Sequence, residues 1–236
     1  MRVCIIIPTY NERENILPLL EKINLELKNN HISGRILVVD DNSPDGTGEI
    51  VEKLRKKYHI SVLHRKTDRG YGNSILAGFR KVLESDFDTV ITMDADLSHN
   101  PSIIPEMLRE IEKGYDVVIG SRKIKGGKII GWSMWRHLCS SGATLFCKFI
   151  LGLKTKDITS GFRAYKTSVL KSIDMDRIKS NGYSFLEELL FMIEKRKFKI
   201  KEIPIVFYDR KKGKSKLSKK EIVNFFITMF RIKFQK

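Results

Sequence analysis

Over its first two-thirds the chain alternates short apolar runs with amphipathic stretches. Residues 3–7, 36–39, 62–63, 90–93 and 117–119 are β-branched and apolar, the pattern of strands buried on both faces. Between them the spacing predicts helices over about 13–29, 47–58, 72–84 and 101–113. Pro101 and Pro105 fall in the first turn or so of the last helix, where a missing N–H costs little. Strand–helix alternation of this kind predicts an α/β fold with a mostly parallel sheet flanked by helices.

In such sheets ligands bind beyond the carboxyl ends of the strands, and there the polar residues cluster. Pro8-Thr9-Tyr10-Asn11-Glu12 follows the first run, and Asp40-Asp41-Asn42-Ser43 the second. Asp94-Ala95-Asp96-Leu97-Ser98 follows the fourth, and Gly120-Ser121-Arg122 the fifth. Four loops are therefore expected to converge on one crevice, supplying acidic groups and an arginine.

The pattern then changes. Residues 132–153 fit a helix with two unlike faces, Trp135, Leu138, Cys139, Leu145, Phe146, Phe149 and Ile150 on one side. Opposite lie Arg136, His137, Ser140, Ser141, Thr144 and Lys148. Core packing and a membrane-facing surface both fit this helix. Residues 203–208 read as one more strand, and 222–234 as a second apolar helix with a narrow polar arc. That last helix suits lipid or a small membrane subunit equally.

Charge narrows the range of partners. The chain of 236 residues carries Lys+Arg 44 against Asp+Glu 28, a net +16, so an anionic partner is expected. From Lys195 onward there are 15 Lys/Arg and 3 acids. A nucleic-acid-binding protein would need stacking aromatics or a recognition helix on a basic face. Here the basic residues are interleaved with a wide apolar helix, so no nucleic acid is expected and a membrane surface suits better. Cys4, Cys139 and Cys147 form no pair pattern, as free thiols of a reducing compartment would. Met1 leads straight into an apolar run and a proline, and no stretch reaches the ~20 apolar residues of a membrane span. The expectation is a peripheral protein on the cytoplasmic face of a membrane.

Asp94 and Asp96, alternate residues just past a strand, can aim two carboxylates at one Mg²⁺ or Mn²⁺, which favours oxygen ligands and bridges to substrate phosphates. Ser98 could add a hydroxyl or hold a water. A solvated acidic loop is the plainer reading. Asp40 to Ser43 reads as nucleotide-binding or as an Asx turn, and Asn11 as an N-cap for the first helix. A dinucleotide enzyme would need G-x-G-x-x-G at the first strand–helix turn. That turn holds no glycine, and Gly70-Tyr71-Gly72 lacks the third one. With no Walker loop either, phosphate must be held by metal and cations. Arg122 follows a strand, Arg136 and Ser140 sit four apart on one helical face, and residues 209–216 form a basic loop, either solvated or a clamp over a diphosphate.

With these residues assembled, the sequence resembles the family-2 glycosyltransferases of GT-A fold, and within them the dolichol-phosphate (polyprenyl-phosphate) mannosyltransferases. The matching motifs are IIIPTYNERENI, VVDDNSPDGT, DRGYGNSILAGF, MDADLSHNP, VIGSR, the GW…R…SSGA segment, DITSGFRAY, GYSFLEELL and DRKKGKSKL. They follow family order over nearly the whole chain. The resemblance implies a GT-A catalytic domain over 1–217, with 132–153 as an interfacial helix, and a C-terminal amphipathic helix over 218–236. It implies GDP-mannose as donor, a dolichyl or polyprenyl phosphate as acceptor, and Mg²⁺ or Mn²⁺ as cofactor. UDP-glucose is the alternative donor. Pro8, Tyr10, Glu12, Val39 and Asp41 would line the guanosine pocket. Asp94, Ala95 and Asp96 would meet metal and diphosphate with Ser98 beside them, where relatives often carry glutamine. Arg122, Arg136 and Ser140 would hold the acceptor phosphate, and Arg210 and Lys216 the donor diphosphate. Asp157, Thr159, Ser160 and Arg163 would bind or brace, with a structural salt bridge the alternative role for Arg163. His99 is expected to be structural rather than a base.

Overall fold

Alternate residues of the first strand, β1 (Arg2–Thr9), feed two separate cores: Val3, Ile5 and Ile7 enter one apolar cluster, Cys4 and Ile6 the other. Each fully buried isoleucine contributes about 1.5–3 kcal/mol, so both faces of the sheet are covered. The structure is a computed structural model and describes residues 1–182, 184–209 and 219–234. After β1 come α1 (Arg13–Asn29), β2 (Ser33–Asp40), α2 (Thr47–Leu54), β3 (Ile60–His64), α3 (Tyr71–Leu83) and β4 (Thr89–Thr92). Then follow α4 (Ile104–Glu112), β5 (Val117–Ser121), β6 (Lys128–Ile130), α5 (Met134–Leu151), β7 (Arg163–Lys166) and α6 (Thr167–Ser172). The chain continues through α7 (Phe185–Lys195), β8 (Ile200–Pro204), β9 (Val206–Tyr208) and α8 (Lys219–Phe234).

Seven strands form one sheet in the order β3-β2-β1-β4-β7-β5-β8, and β6 and β9 form a small second sheet. Every pair in the large sheet is parallel except those made by β7, which runs antiparallel between β4 and β5. Strand order reverses between β1 and β4, so the crevice beyond their carboxyl ends is the place for a ligand. Helices α1, α2 and α4 cover one face, and α3, α5, α6, α7 and α8 the other.

Several boundaries differ from expectation for identifiable reasons. The fourth predicted helix opens with a 3-10 turn at Pro101–Ile103 before α4, because Pro105 has no N–H to give the Pro101 carbonyl. The helix expected to reach residue 58 stops at Leu54, because a tight turn carries Tyr58 and His59 directly into β3. The strand expected over 203–208 divides at Ile205, which receives β6 while β8 stays on β5. Asn11 is not the cap of α1; it takes a left-handed φ of 59°. The orphan N–H groups there are met by the β2 loop instead. Ser43 Oγ accepts from Asn11 N–H, Thr47 Oγ1 from Glu12 and Asp45 Oδ2 from Arg13, each at 3.0 Å.

Arg163 is fully buried and makes no salt bridge among the described residues; it donates to the main-chain carbonyls of Ser160, Leu186 and Ile158 at 2.7, 3.0 and 2.6 Å. It is a brace, with carbonyl dipoles in place of a counter-ion. Nearby in α7, Glu187 Oε2 is buried without a hydrogen-bond partner among the described residues, and burial pushes its carboxyl from 4.5 up to about 7. A raised carboxyl penalises the folded state fully above the folded pKa, and the penalty fades as pH falls to the unfolded value. The stability of Glu187→Gln relative to the native chain should therefore improve by on the order of 2–3 kcal/mol between pH 4.5 and pH 8. Thermal melts at the two pH values check this, and a pH-independent difference would contradict it.

On α5, Thr144, Cys147 and Leu151 face inward. The apolar side grouped by periodicity divides. Phe146 packs edge-on against Phe226 and Phe230 of α8 at 4.7 and 6.0 Å, whereas Met134, Trp135, Leu138, Leu145 and Phe149 are 64–85% exposed. Core packing thus accounts for part of this helix only. Helix α8 buries Met229 and Ile232 and exposes Ile227, Phe230 and Phe234. No described helix is long and apolar enough to cross a membrane. Among the thiols, burial pushes Cys4 up to about 12 and raises Cys147, while Cys139 is exposed.

Candidate active site

The loops after β1, β2, β4 and β5 meet at the switch point, and hydrogen bonds weld the first two. Asp40 takes the turn role expected of this segment: it accepts from Thr9 Oγ1 at 2.9 Å and from the N–H and hydroxyl of Ser43. Asp41 points elsewhere, pairing with Arg65 and accepting the Gly70 N–H at 2.8 Å. Gly70 has φ 137°, and a Cβ there would come within 2.6 Å of the Asn181 carbonyl. This glycine therefore serves a carboxylate in the protein. Tyr10 lies 37% exposed at the rim, with Arg69 over its ring at 5.8 Å. Glu12 accepts from Asn15 Nδ2 at 2.8 Å. Pro8 closes the strand beside them, half-buried. Val39 is fully buried in the core, since the β2 alternation turns it inward. It can offer a pocket only its main chain, and the same holds for the buried Ala95.

Past β4 the acidic pair is braced from several sides. Asp94 N–H donates to His99 Nδ1 at 3.3 Å, and the Tyr71 hydroxyl hydrogen-bonds the Asp94 carboxyl. A Cβ on Gly161 would collide with that hydroxyl and come 3.1 Å from Asp94 Oδ1. Asp96 Oδ1 accepts from the Ser98 N–H at 3.1 Å and from its hydroxyl, so Ser98 holds the carboxylate in place. Between them Leu97 takes a left-handed φ of 64°, a strained conformation costing about 1–2 kcal/mol for such a residue.

Asp94 is the residue whose surroundings best fit a bound cation. Its side chain keeps 32% exposure, yet Oδ1 is buried and has no hydrogen-bond partner among the described residues. Burial, with Asp96 adding to it, raises its carboxyl above the usual range. A divalent cation would supply the charge this oxygen lacks. Among the described residues no group of three or more His, Cys, Asp or Glu could hold a metal. Two carboxylates suit Mg²⁺ or Mn²⁺, which complete their shells with water and substrate phosphate. His99 is structural. It stacks on Phe162 at 5.1 Å, burial lowers its pKa, and Nδ1 accepts a hydrogen bond, so the neutral ring carries its proton on Nε2.

Arg122, beyond β5, is held by two residues. Asp157 accepts from Nε and Nη2 at 2.7 Å each and from the Arg122 backbone N–H at 2.8 Å; Thr159 Oγ1 takes a further Nη2 bond at 2.7 Å. Among the described residues Nη1 takes part in no hydrogen bond. The guanidinium lies 5.2 Å from the Phe207 ring and 5.9 Å from Trp132, and Arg136 stacks on Trp132 at 4.2 Å. Arg136 Nη1 donates to Asp209 Oδ2 at 2.7 Å. Ser140 lies one turn further along the same side of α5. Below it, Lys123 Nζ donates to Thr144 Oγ1 at 2.7 Å, and burial lowers its pKa. Phe207 also packs edge-on against His99 at 5.6 Å and Trp132 at 6.1 Å. One aromatic wall thus joins the acidic pair to both arginines.

The structure brings together Asp94, Asp96, Arg122 and Arg136; Arg210 and Lys216 lie outside the described residues. Sequence reading missed Arg65, Tyr71, Lys123, Trp132, Phe207 and Asp209. Tyr71, Trp132 and Asp209 stand inside recognised motifs, which was their signal; the others carry none. Two surface hollows of about 400 and 300 Å³ open elsewhere, around Met1, Asp88 and Lys166 and around Met1, His31 and Arg109. They lie at the amino ends of the strands, so topology and chemistry, rather than volume, locate the site.

Comparison with known proteins agrees. Residues 4–174 match the model of the family described as Glycosyl transferase family 2. The chain is 41% identical over 219 residues to the undecaprenyl-phosphate mannosyltransferase of Micrococcus luteus, covering 92% of this chain and 88% of that protein. It is 38% identical to the polyprenol monophosphomannose synthase of Mycolicibacterium smegmatis, covering 92% and 81%. It is 37% identical over 234 residues to the dolichol-phosphate mannosyltransferase of Pyrococcus furiosus, covering 98% of this chain and 64% of that one. Among solved structures, glucosyl-3-phosphoglycerate synthase from Mycobacterium tuberculosis in complex with Mn²⁺, UDP and glucosyl-3-phosphoglycerate superposes with a TM-score of 0.70 at 17% identity, over 98% of this chain and 79% of that one. That likeness establishes the GT-A fold. With its family matched over most of its length and its fold in agreement, the chain belongs to glycosyltransferase family 2.

Proposed function

We propose that this glycosyltransferase moves mannose from GDP-mannose to dolichyl or another polyprenyl phosphate at a membrane surface. The products are GDP and a β-linked mannosyl phosphate lipid. One observation carries the reading: the acidic pair and the two arginines share a single aromatic wall, so an anionic donor and an anionic acceptor would meet in one site. The names of the three relatives, all mannosyl-transferring enzymes of polyprenyl phosphates, support it.

Asp94 and Asp96 would hold Mg²⁺ or Mn²⁺, which when bound offsets the charge that builds on the departing GDP. Pro8, Tyr10, Glu12 and Asp41 border the nucleoside side. Arg122, clamped by Asp157 and Thr159, offers Nη1 to the acceptor phosphate, with Arg136 and Ser140 on the facing helix. The acceptor is a phosphate monoester with a second pKa of about 6, so its oxygen is largely anionic at neutral pH and needs no base. His99 is buried and its Nδ1 already accepts the Asp94 N–H, so it is not placed to act as one. Attack opposite the leaving group inverts the anomeric centre.

The exposed stripes of α5 and α8 fit the headgroup region of a bilayer, and basic residues near it add roughly 1 kcal/mol each on anionic lipid. The test is incubation with radiolabelled GDP-mannose or UDP-glucose, a metal and a short polyprenyl phosphate. Label should enter the organic phase from GDP-mannose alone and vanish with EDTA; transfer from UDP-glucose, or transfer that survives chelation, would overturn the scheme. The double variant Trp135→Asp, Phe149→Asp should lose flotation with anionic vesicles yet keep its turnover of a water-soluble acceptor. Unchanged flotation would exclude this face as the lipid contact.

A further inference from the structure

The two arginines of the acceptor side are paired in unlike ways. Asp157 grips Arg122 through two guanidinium nitrogens and a backbone N–H, and the side chains are 7% and 0% exposed. That pair is built in. Asp209 holds Arg136 through one bond of 2.7 Å, with side chains 36% and 24% exposed. A half-wet single-contact pair contributes only about 0–1 kcal/mol, so a stronger anion can replace its carboxylate.

Neither partner drifts away when that happens. The Asp209 backbone N–H is fixed on the Ile130 carbonyl at 2.8 Å. Gly131, with φ 98°, leaves room where a Cβ would come 3.0 Å from the Asp209 Cβ. The Arg136 guanidinium lies on the Trp132 ring at 4.2 Å, so it keeps its place whichever anion it holds. A displaced Asp209 carboxylate thus stays within reach as a tethered competitor at high local concentration.

We propose that Asp209 competes with the lipid phosphate for Arg136, yielding the arginine to the acceptor and reclaiming it when the product leaves. The inference rests on the acceptor-site reading above. During transfer an acceptor oxygen bonds to the anomeric carbon, the bond from that carbon to GDP breaks, and GDP leaves with the electron pair. The lipid phosphate thereby changes from a monoester of about −1.5 to −2 charge to a diester of single charge. The monoester outcompetes a tethered carboxylate. The diester, with the same charge as the carboxylate and no tether, does not. Asp209 is then a positioning residue that gives way to the substrate on entry and hastens the loss of the product.

The test compares geranyl phosphate with its methyl diester as competitors of the acceptor, using the full chain as wild type, Asp209→Asn and Asp209→Ser. In both variants the two competitors should bind more tightly by a similar factor, about three- to fivefold, because a tethered competitor weakens every ligand of Arg136 alike. Turnover should fall as product leaves more slowly, and inhibition by product should strengthen. A purely structural role would lower the melting temperature and leave both affinities unchanged. Asp209→Ser, which lacks a carboxylate, gives the same comparison if the asparagine variant is unstable. Unchanged affinities in both variants, or weaker binding of either competitor, overturn the proposal. Arg136→Ala separates the two levels. If it leaves monoester binding unaffected, the acceptor-site reading has failed; if it weakens binding while Asp209→Asn leaves both affinities unchanged, only the exchange has failed.

Discussion

Asp96→Asn should lower turnover by about 10³-fold or more while leaving the melting temperature nearly unchanged. The asparagine keeps an oxygen where Oδ1 now accepts from Ser98 N–H and hydroxyl, so the loop remains braced. What it loses is the negative charge that pairs with Asp94 to attract a divalent ion. Asp96→Ala should be as inactive but less stable, because the Ser98 hydroxyl, 1% exposed, would lose its acceptor at a cost of about 1–3 kcal/mol. Initial rates at saturating Mn²⁺, thermal melts, and calorimetric Mn²⁺ binding in the presence of GDP check the three parts. An asparagine variant retaining a tenth of native turnover would remove the acidic pair from the chemistry.

Asp157→Ala should be the most destabilising change at the site, by about 3–5 kcal/mol, because it strands a buried guanidinium. Turnover should fall with it, since Arg122 loses the clamp that presents Nη1. Arg122→Ala should also destabilise, leaving a fully buried carboxylate unpaired, and the double variant should be less unstable than the two losses summed. Additive losses would refute the coupling. The pH dependence has a definite sign. Burial pushes the Asp157 carboxyl up, but its hydrogen bonds and charge contact with Arg122 outweigh that and hold it below the usual carboxylate range. A depressed carboxyl contributes stability above its unfolded pKa of about 3.9 and loses it as pH falls through the folded value. The native chain should therefore lose the advantage of this pair only below about pH 4, which acid melts of native and double-variant protein would reveal.

The two predictions differ in how far they could be read from residue order. The acidic pair was legible because its signal is local: two aspartates two residues apart, just past an apolar run. The Arg122–Asp157 clamp spans 35 residues and crosses from β5 to the segment before β7. Residue order marked both residues as parts of motifs but held no indication that they touch. Asn11 shows the opposite error. It looked like a cap for α1, yet Ser43, Asp45 and Thr47 perform that service from the neighbouring loop, 32 to 35 residues away.

By itself the sequence determined the parallel half of the sheet, the helices on its flanks and the end of the sheet where chemistry gathers. Those features follow from side-chain periodicity and turn residues, which act over a few neighbours. Tertiary structure alone decided that β7, a four-residue segment beginning with a buried arginine, would fill the gap between β4 and β5. It alone decided that Arg136 would take Asp209 as its partner. A short polar segment becomes a strand only when two open edges bracket it, and a charge finds its counter-ion only after the chain between them has folded.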